Sequence, residues 1–512
     1  MQEMVSASSP VSLRLSACWS PAPIDRFRLI CGPVRGTSSH MIKPSLAIAL
    51  VLAAPAVATS ITADELVEWE DHLAEQVSED RMRADMDTIV GFGTRHTLSS
   101  QTDPERGIGA AVNWALDEFR RISSACNDCL EVMAVSDTVT GDRIPTPTLV
   151  RNAVAIQRGT ERPDEVIIVQ AHYDSRVSNA LNATDDAPGA NDDGSGSVMV
   201  LEAARILSQR EHPSTIIYAL LTGEEQGLFG ARILADWVES QGMTVKAVLN
   251  NDMIGNSCGS DGYCDAEHVR VFSEGLRADS TARLRARQRR FGGENDSPGR
   301  NLSRWLDEVA SSNPDGMQVR QIWRTDRMGR GGDQIPFLDK GYPAVRITVA
   351  VEDYEHQHQD LRTEDGIKYG DTVDELDFDY LTRAAQLNVR ALHNLAMAPM
   401  PPRVSADAAV RTDTEISWQA VPGAKLYVVH RRRTDESYWD SDETALVYAD
   451  RPVEANAAAA DEARRFSHIE NLRGDDWIFG VQACNGPYCS PVASAVPGGA
   501  FEPVKQPEGD SD

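Results

Sequence analysis

A chain of 512 residues exceeds one ordinary core and predicts two folded domains behind a processed end. Its 41% hydrophobic and 25% charged residues, without an apolar run of about 20 residues, match a soluble globular protein and argue against a membrane-spanning one. The net charge of −28, from 78 acidic against 50 basic side chains, excludes nucleic acid and anionic lipid surfaces as partners.

Residues 41–58, MIKPSLAIALVLAAPAVA, combine a methionine, a lysine, an apolar run from Leu46 to Ala54 and a small-x-small ending at Ala56-Val57-Ala58. This layout predicts a secretory signal cleaved after Ala58, with translation starting at Met41 and residues 1–40 a spurious extension. Downstream, six cysteines form three close pairs, Cys126/Cys129, Cys258/Cys264 and Cys484/Cys489, and such pairs in an exported chain predict short-loop disulfides. A zinc-knuckle or redox reading of Cys126-Asn-Asp-Cys129 lacks the second CxxC it would need.

From Ile61 to Met86 apolar residues recur among charged ones behind Thr62-Ala-Asp-Glu65, a capping signal, so a helix is expected there. Between Arg151 and Pro343, short β-branched runs alternate with amphipathic ones. VIIVQAH at 166–172, STIIYALLT at 214–222 and VKAVLNNDM at 245–253 read as strands, and VMVLEAARILSQ at 198–209 and ARILADWVES at 231–240 as helices. This order predicts an α/β domain over 59–397 with a doubly wound, mostly parallel sheet, which binds ligands beyond the carboxyl ends of its strands. Residues 255–330 show no readable pattern, and a further strand is expected at 344–351. The Pro-rich run Ala396-Met-Ala-Pro-Met-Pro-Pro402 reads as a hinge with the linker at 398–402. Beyond it, short alternating strands at 414–433 and 477–485 predict a small all-β sandwich over 403–500, ahead of a disordered tail at 501–512. Trp418, Val421-Pro-Gly-Ala424, Tyr427 and Phe479-Gly-Val481 make this part resemble a fibronectin type III domain, which implies a binding or spacing module for an unknown partner or surface.

The chemistry-bearing residues stand at the predicted strand ends. His172 follows the first strand in AHYDS, with Asp174 placed to orient its imidazole. A lone histidine of this kind is otherwise structural. Asp192 and Asp193 lie in ANDDGSG at 190–196, a string that also suits an N-cap with a flexible turn. Glu224 and Glu225 follow the third run in TGEEQG, and adjacent carboxylates at the end of an apolar strand call for a cation between them. Asp252 closes NNDMIG at 250–255. Hydrolysis of a peptide bond near neutral pH needs an activated water, a polarised carbonyl and a base; paired divalent ions supply the first two.

His-x-Asp, Gly-Ala-Asn-Asp-Asp-Gly-Ser-Gly, Gly-Glu-Glu-x-Gly and Asp-Met-Ile-Gly, in this order, resemble the two-zinc aminopeptidase family that includes bacterial leucyl aminopeptidase and aminopeptidase Y, over about residues 150–395. The resemblance implies two Zn2+ ions bridged by Asp192, one completed by His172 and Asp252, the other by Glu225 and a late histidine. It implies Glu224 as general base, with Asp193 in support through an unusual peptide geometry. For the late histidine, His356 keeps a His-x-x-x-Asp spacing, whereas Gln-His358-Gln-Asp360 resembles a bacterial branch of the family, and His358 is favoured. Gly331 to Ala344 resembles the family's Ser-Asp-His-x-x-Phe…Gly-x-Pro-Ala segment, with Gln334 in place of the usual histidine and Asp333 as a supporting group. The expected activity is that of an exported exopeptidase acting on the amino ends of peptides or proteins. Manganese or cobalt could replace zinc in such a donor set. A single-zinc acyltransferase of the glutaminyl cyclase kind and a non-catalytic binding protein are the alternatives on the same fold.

Overall fold

The computed structural model describes residues 72–440, 445–449 and 464–504. The signal segment expected at 41–58, the start of the helix expected from Ile61 and most of the tail expected at 501–512 lie outside these residues.

Ser78, in extended conformation, accepts a hydrogen bond from the Arg81 amide and opens α1 (Glu79–Gly91). The single helix expected up to Met86 is thus interrupted, because helical residues 72–74 pass through a turn before this cap. Along the chain follow α2 (Ile108–Ala125), β1 (Glu131–Gly141), β2 (Ile144–Gln157), β3 (Arg162–His172), α3 (Gly196–Leu207), β4 (Ser214–Leu221), α4 (Phe229–Ser240) and β5 (Thr244–Asn251). Next come β6 (His268–Phe272), α5 (Ala282–Phe291), α6 (Pro298–Ser311), β7 (Gln318–Ile322), α7 (Ile335–Asp339), β8 (Ala344–Val349), β9 (Arg362–Glu364), β10 (Ile367–Tyr369) and α8 (Phe378–Met397).

Every side chain of β4 and β8 is buried, as are all residues of β5 after Thr244, which is the signature of strands covered on both faces. They lie in one eight-stranded sheet of order β1-β2-β4-β3-β5-β8-β6-β7. Its centre, β4-β3-β5-β8, is parallel, while β2 runs antiparallel to β4 and β6 antiparallel to β8. The sheet is therefore mixed at its flanks around the parallel centre that the alternating pattern predicts. One face carries α1, α2, α3, α6 and α8, whose Met86, Phe119, Met199, Leu306 and Leu381 are buried in a common core. The other carries α4 and α7 through Leu234 and Phe337.

The unreadable stretch 255–330 thus contains two strands and two helices. α6 carries Arg300, Asn301 and Arg304 among its buried residues; Asn301 and Arg304 face the C-terminal part of the chain, and Arg300 donates to Ser273 just past β6. That part comprises β11 (Val404–Asp407), β12 (Thr414–Gln419), β13 (Leu426–Arg433), β14 (Ala445–Tyr448), β15 (Arg464–Ile469), β16 (Trp477–Asn485), β17 (Tyr488–Cys489) and β18 (Ala493–Ser494). They pair antiparallel as β11-β12-β15 and β14-β13-β16-β17, with β18 on β16, around Ile416, Trp418, Tyr427 and Val481. The Pro-rich run before them is packed: Ala398 is fully buried, and its carbonyl accepts hydrogen bonds from Arg162 at 3.2 Å and Lys246 at 2.6 Å. Disulfides join Cys126–Cys129, Cys258–Cys264 and Cys484–Cys489, the three pairs expected from spacing.

Candidate metal centre

Strand register brings the site together. In the parallel centre His172 of β3 stands beside Leu221 of β4, Gln170 beside Asn250 of β5, and Asn251 beside Ile347 of β8. The carboxyl ends of these strands therefore lie side by side, and the residues just past each end share one cavity of about 430 Å³.

His172 Nε2 lies 2.9 Å from Asp192 Oδ1 and 3.9 Å from Asp252 Oδ1. His358 Nε2 lies 2.9 Å from Asp192 Oδ2 and 2.8 Å from Glu225 Oε1. Two donor sets, His172–Asp192–Asp252 and Asp192–Glu225–His358, each gather within 4.8 Å and share Asp192. A third, His172–Glu224–Glu225, overlaps both. Four carboxylates and two imidazoles converging on one floor form the nitrogen and oxygen donor set that suits zinc.

The electrostatics of the floor agree with a cation site. Burial opposes the charge of Glu225, but His358 and Arg176 outweigh it and hold the carboxyl at about 2. Burial also opposes protonation of His358, yet Glu225 and Asp192 raise it to about 10. Glu224 is pushed well above the usual carboxylate range by burial, with further repulsion from Glu225, Asp333 and Asp252 against the pull of His172.

Each expected site residue has a definite place. His172, Asp192, Glu224, Glu225, Asp252 and His358 all line the cavity. His356 does not; it pairs with Asp353 at 2.9 Å and faces Glu375 at 3.5 Å. Asp174 differs from its expected role. Its backbone carbonyl, 3.0 Å away, takes the His172 Nδ1 contact, while its carboxylate stays 3.9 Å from that ring. The carboxylate accepts instead from the amides of Glu224 and Glu225, each at 3.2 Å, because the β3 and β4 loops run side by side. Asp174 thus positions the two glutamates and contacts none of the donor atoms of the floor directly. The peptide between Asp192 and Asp193 is cis, and Asp193 turns away from the cavity to accept from the amides of His172, Gly196 and Met253. Gly196 permits this approach, since a Cβ there would stand 2.6 Å from the Asn251 carbonyl and 2.7 Å from the Asp193 carboxylate. Gln334, at the position of the histidine that the resemblance led one to expect, donates to Asp326 at 2.7 Å and stays off the floor. Asp333 is buried with its carboxyl raised to about 8 by burial and by neighbouring acids.

Sequence reasoning missed three groups. Arg346, fully buried in β8, lies 2.8 Å from Asp252 Oδ1 and donates to the Gly331 carbonyl at 2.9 Å. Arg176 donates to Glu225 Oε2 at 2.7 Å, and Gln357 to Asp192 Oδ2 at 2.8 Å. A lone arginine inside an apolar strand was the available signal for the first, since such a charge is buried only against a partner.

A parallel-centred sheet with carboxylates and imidazoles converging at its strand ends suits a zinc metallopeptidase, a hydrolase. Sequence comparison agrees: a protein of Leptosphaeria maculans described as a probable zinc metalloprotease is 43% identical over 372 residues, covering 72% of this chain and 86% of that protein. One of Pyricularia oryzae with the same description is 42% identical over 437 residues, covering 83% of each. The chain belongs to peptidase family M28, whose pattern it matches over residues 152–374. Among solved structures, the LapA aminopeptidase of Legionella pneumophila overlays with a TM-score of 0.47 at 20% identity, covering 66% of this chain and 76% of that one. A glutaminyl cyclase of Porphyromonas gingivalis overlays with a TM-score of 0.43 at 19% identity, covering 62% and 98% respectively.

Proposed function

We propose that this chain is an exported exopeptidase that removes residues from the amino ends of peptides and holds two zinc ions. The observation that carries the reading is the double use of Asp192, whose two oxygens face different imidazoles, His172 and His358, each at 2.9 Å. One carboxylate presented to two donor sets is what a bridging ligand requires. His172 and Asp252 would complete one set, Glu225 and His358 the other.

Zinc bound there supplies an acidified water and a polarised carbonyl. The remaining work falls to the chain. Glu224 lines the same cavity without belonging to either of the sets that share Asp192, and serves as the base that takes the proton of the attacking water and returns it to the leaving amine. Asp174 fixes its backbone from below. Arg346, held charged by Asp252 and Asp326 against the cost of burial, keeps Asp252 oriented. The three disulfides and the expected signal segment support export. The C-terminal sheets, built around Trp418 and Tyr427 with ring centres 5.4 Å apart, are read as a fibronectin type III-like module.

Glu224→Gln tests the assignment. The variant should keep the zinc content of the parent and lose about 10²–10⁴ in kcat on aminoacyl-p-nitroanilides. Metal analysis showing a single ion per chain would remove the bridging role of Asp192 and favour a cyclase, whereas unaltered turnover would mean that another group moves the proton.

A further inference from the structure

The outer wall of the cavity has a composition opposite to that of the chain. Acidic residues outnumber basic ones 78 to 50 overall, yet every acidic residue lining the cavity, Asp192, Glu224, Glu225 and Asp252, belongs to the floor. The charged residues of the wall are all arginines, Arg143, Arg176, Arg232, Arg327 and Arg330, with no lysine. They converge from separate elements. Arg143 stands in the β1–β2 turn, Arg176 after β3, Arg232 in the first turns of α4, and Arg327 and Arg330 in the loop ahead of α7. Leu228 is the single aliphatic side chain among the lining residues, so the cavity offers little to a large apolar group.

Two of the five charges are uncompensated, while Arg176 is held by Glu225 at 2.7 Å. Arg143 uses one nitrogen on the Glu225 carbonyl at 2.8 Å, and Arg232 one on the Gly227 carbonyl at 2.5 Å, and neither makes an ion pair among the described residues. Arg327 and Arg330 share the carboxylate of Glu352 with Arg270, at 3.1, 2.8 and 2.7 Å, and Arg327 also pairs with Asp326 at 3.2 Å. A guanidinium has five N–H donors, so each of the first two keeps donors for a ligand. Once cations neutralise the floor, the wall governs the potential that a substrate meets.

Resting on the peptidase reading above, we propose that this arginine wall is a carboxylate subsite, and that the preferred substrates are short acidic peptides. The planar fork of arginine matches a carboxylate in two parallel hydrogen bonds, which a lysine ammonium does not. The carboxylate can come from an Asp or Glu side chain beside the scissile bond or from the free carboxyl end of a di- or tripeptide. The wall excludes basic side chains by like-charge repulsion.

The test compares kcat/KM of the zinc-loaded full chain on matched tripeptides carrying Glu, Gln, Leu or Lys next to the cleaved bond, each with a free or an amidated carboxyl end. The expected result is a preference of at least about tenfold for Glu over Gln, or for the free end over the amide, carried mostly by KM and weakened by salt. Whichever contrast appears identifies the source of the carboxylate. In Arg143→Gln/Arg232→Gln that selectivity ratio should fall about tenfold, a readout that general damage to turnover does not move. Calorimetric titration with glutamate and with glutamine reads the subsite without catalysis. Hydrolysis with no acidic preference, or a preference for Leu or Lys, overturns the inference and leaves the peptidase reading intact. If no peptide is cut, the peptidase reading falls, and equal binding of glutamate and glutamine overturns the subsite independently.

Discussion

The carboxylate of Asp193 accepts from the His172 amide at 3.1 Å and from those of Gly196 and Met253 at 3.0 Å each. One side chain thereby ties the end of β3, the start of α3 and the residue after Asp252, three segments that carry or flank the donors of the metal floor. A carboxamide would offer one acceptor oxygen and set an NH2 group against a backbone N–H. Asp193→Asn should therefore weaken zinc binding about 10–100-fold with all five donors still present. Competition against a chromophoric chelator measures this, and parent-like affinity would mean that other contacts hold the segments. Residue by residue, the side chains that converge on the floor were legible because each sits in a short polar string after an apolar run. Their supports were not. Asp174 lies in the same string as His172, but its carboxylate serves backbone amides of a different loop, a pairing set by the parallel register of β3 and β4. The choice between His356 and His358 turns on which of them reaches Asp192, and two residues of loop decide that through a turn in which His358 has a φ of 57°.

Among the elements, β5 and α8 are locked by one buried cation. Lys246 is fully buried, and its Nζ donates to Ser214 Oγ at 3.0 Å, the Leu395 carbonyl at 3.1 Å and the Ala398 carbonyl at 2.6 Å, with Glu165 at 3.2 Å. Two of these carbonyls close the last turn of α8, where a cation also meets the negative end of the helix dipole. Lys246→Met keeps most of the volume but takes the ammonium from the Leu395 carbonyl and leaves the Ala398 carbonyl and Glu165 with Arg162, and should cost about 1–3 kcal/mol in urea denaturation. A loss under about 0.5 kcal/mol, the range of neutral surface changes, would mean that water replaces the ammonium. A second expectation concerns α3. Gly196→Ala places a methyl group against the Asn251 carbonyl and the Asp193 carboxylate, contacts that only backbone movement relieves, so melting temperature and zinc affinity should fall together. The central strands and α3 and α4 were readable because their burial follows the chain's own apolar period. α6 was not, since its buried face includes Arg300, Asn301 and Arg304, polar groups matched by Ser273, Ser494 and Ser437 from distant parts of the sequence. Ser297 capping the Arg300 amide, with Pro298 next and an apolar stripe at Leu302, Trp305, Leu306 and Val309, was nonetheless a helix signal present in the sequence.

At the scale of the whole molecule, the C-terminal sheets are fastened to the peptidase part by polar contacts rather than by a broad apolar face. Arg432 forks onto Asp296 at 2.6 and 2.7 Å, Trp305 Nε1 donates to the Cys489 carbonyl at 3.1 Å, and His393 Nε2 meets the Tyr488 hydroxyl at 3.3 Å. Behind His393 lies His212, with 3.1 Å between the facing ring nitrogens and Gln157 at 3.2 Å on the far side. Burial, with Arg210 adding repulsion, pushes His212 down to about 4, and burial with His212 and Arg210 pushes His393 well below its usual range. Both rings are therefore neutral in the folded chain at neutral pH. A histidine whose folded pKa lies below its unfolded value near 6.5 binds more protons when unfolded, so stability is complete above about pH 6.5 and declines as pH falls toward 4. Each ring should contribute a slope of about 1.4 kcal/mol per pH unit in that window. Acid release of zinc adds its own loss, but equally in a variant that keeps the metal floor. His212→Gln should therefore flatten the pH dependence of unfolding between about pH 4.5 and 6.5 relative to the parent, with the two curves meeting at higher pH apart from a constant offset. Curves that stay parallel throughout would place the acid sensitivity entirely in the metal centre and remove the histidine pair as the joint that loosens first.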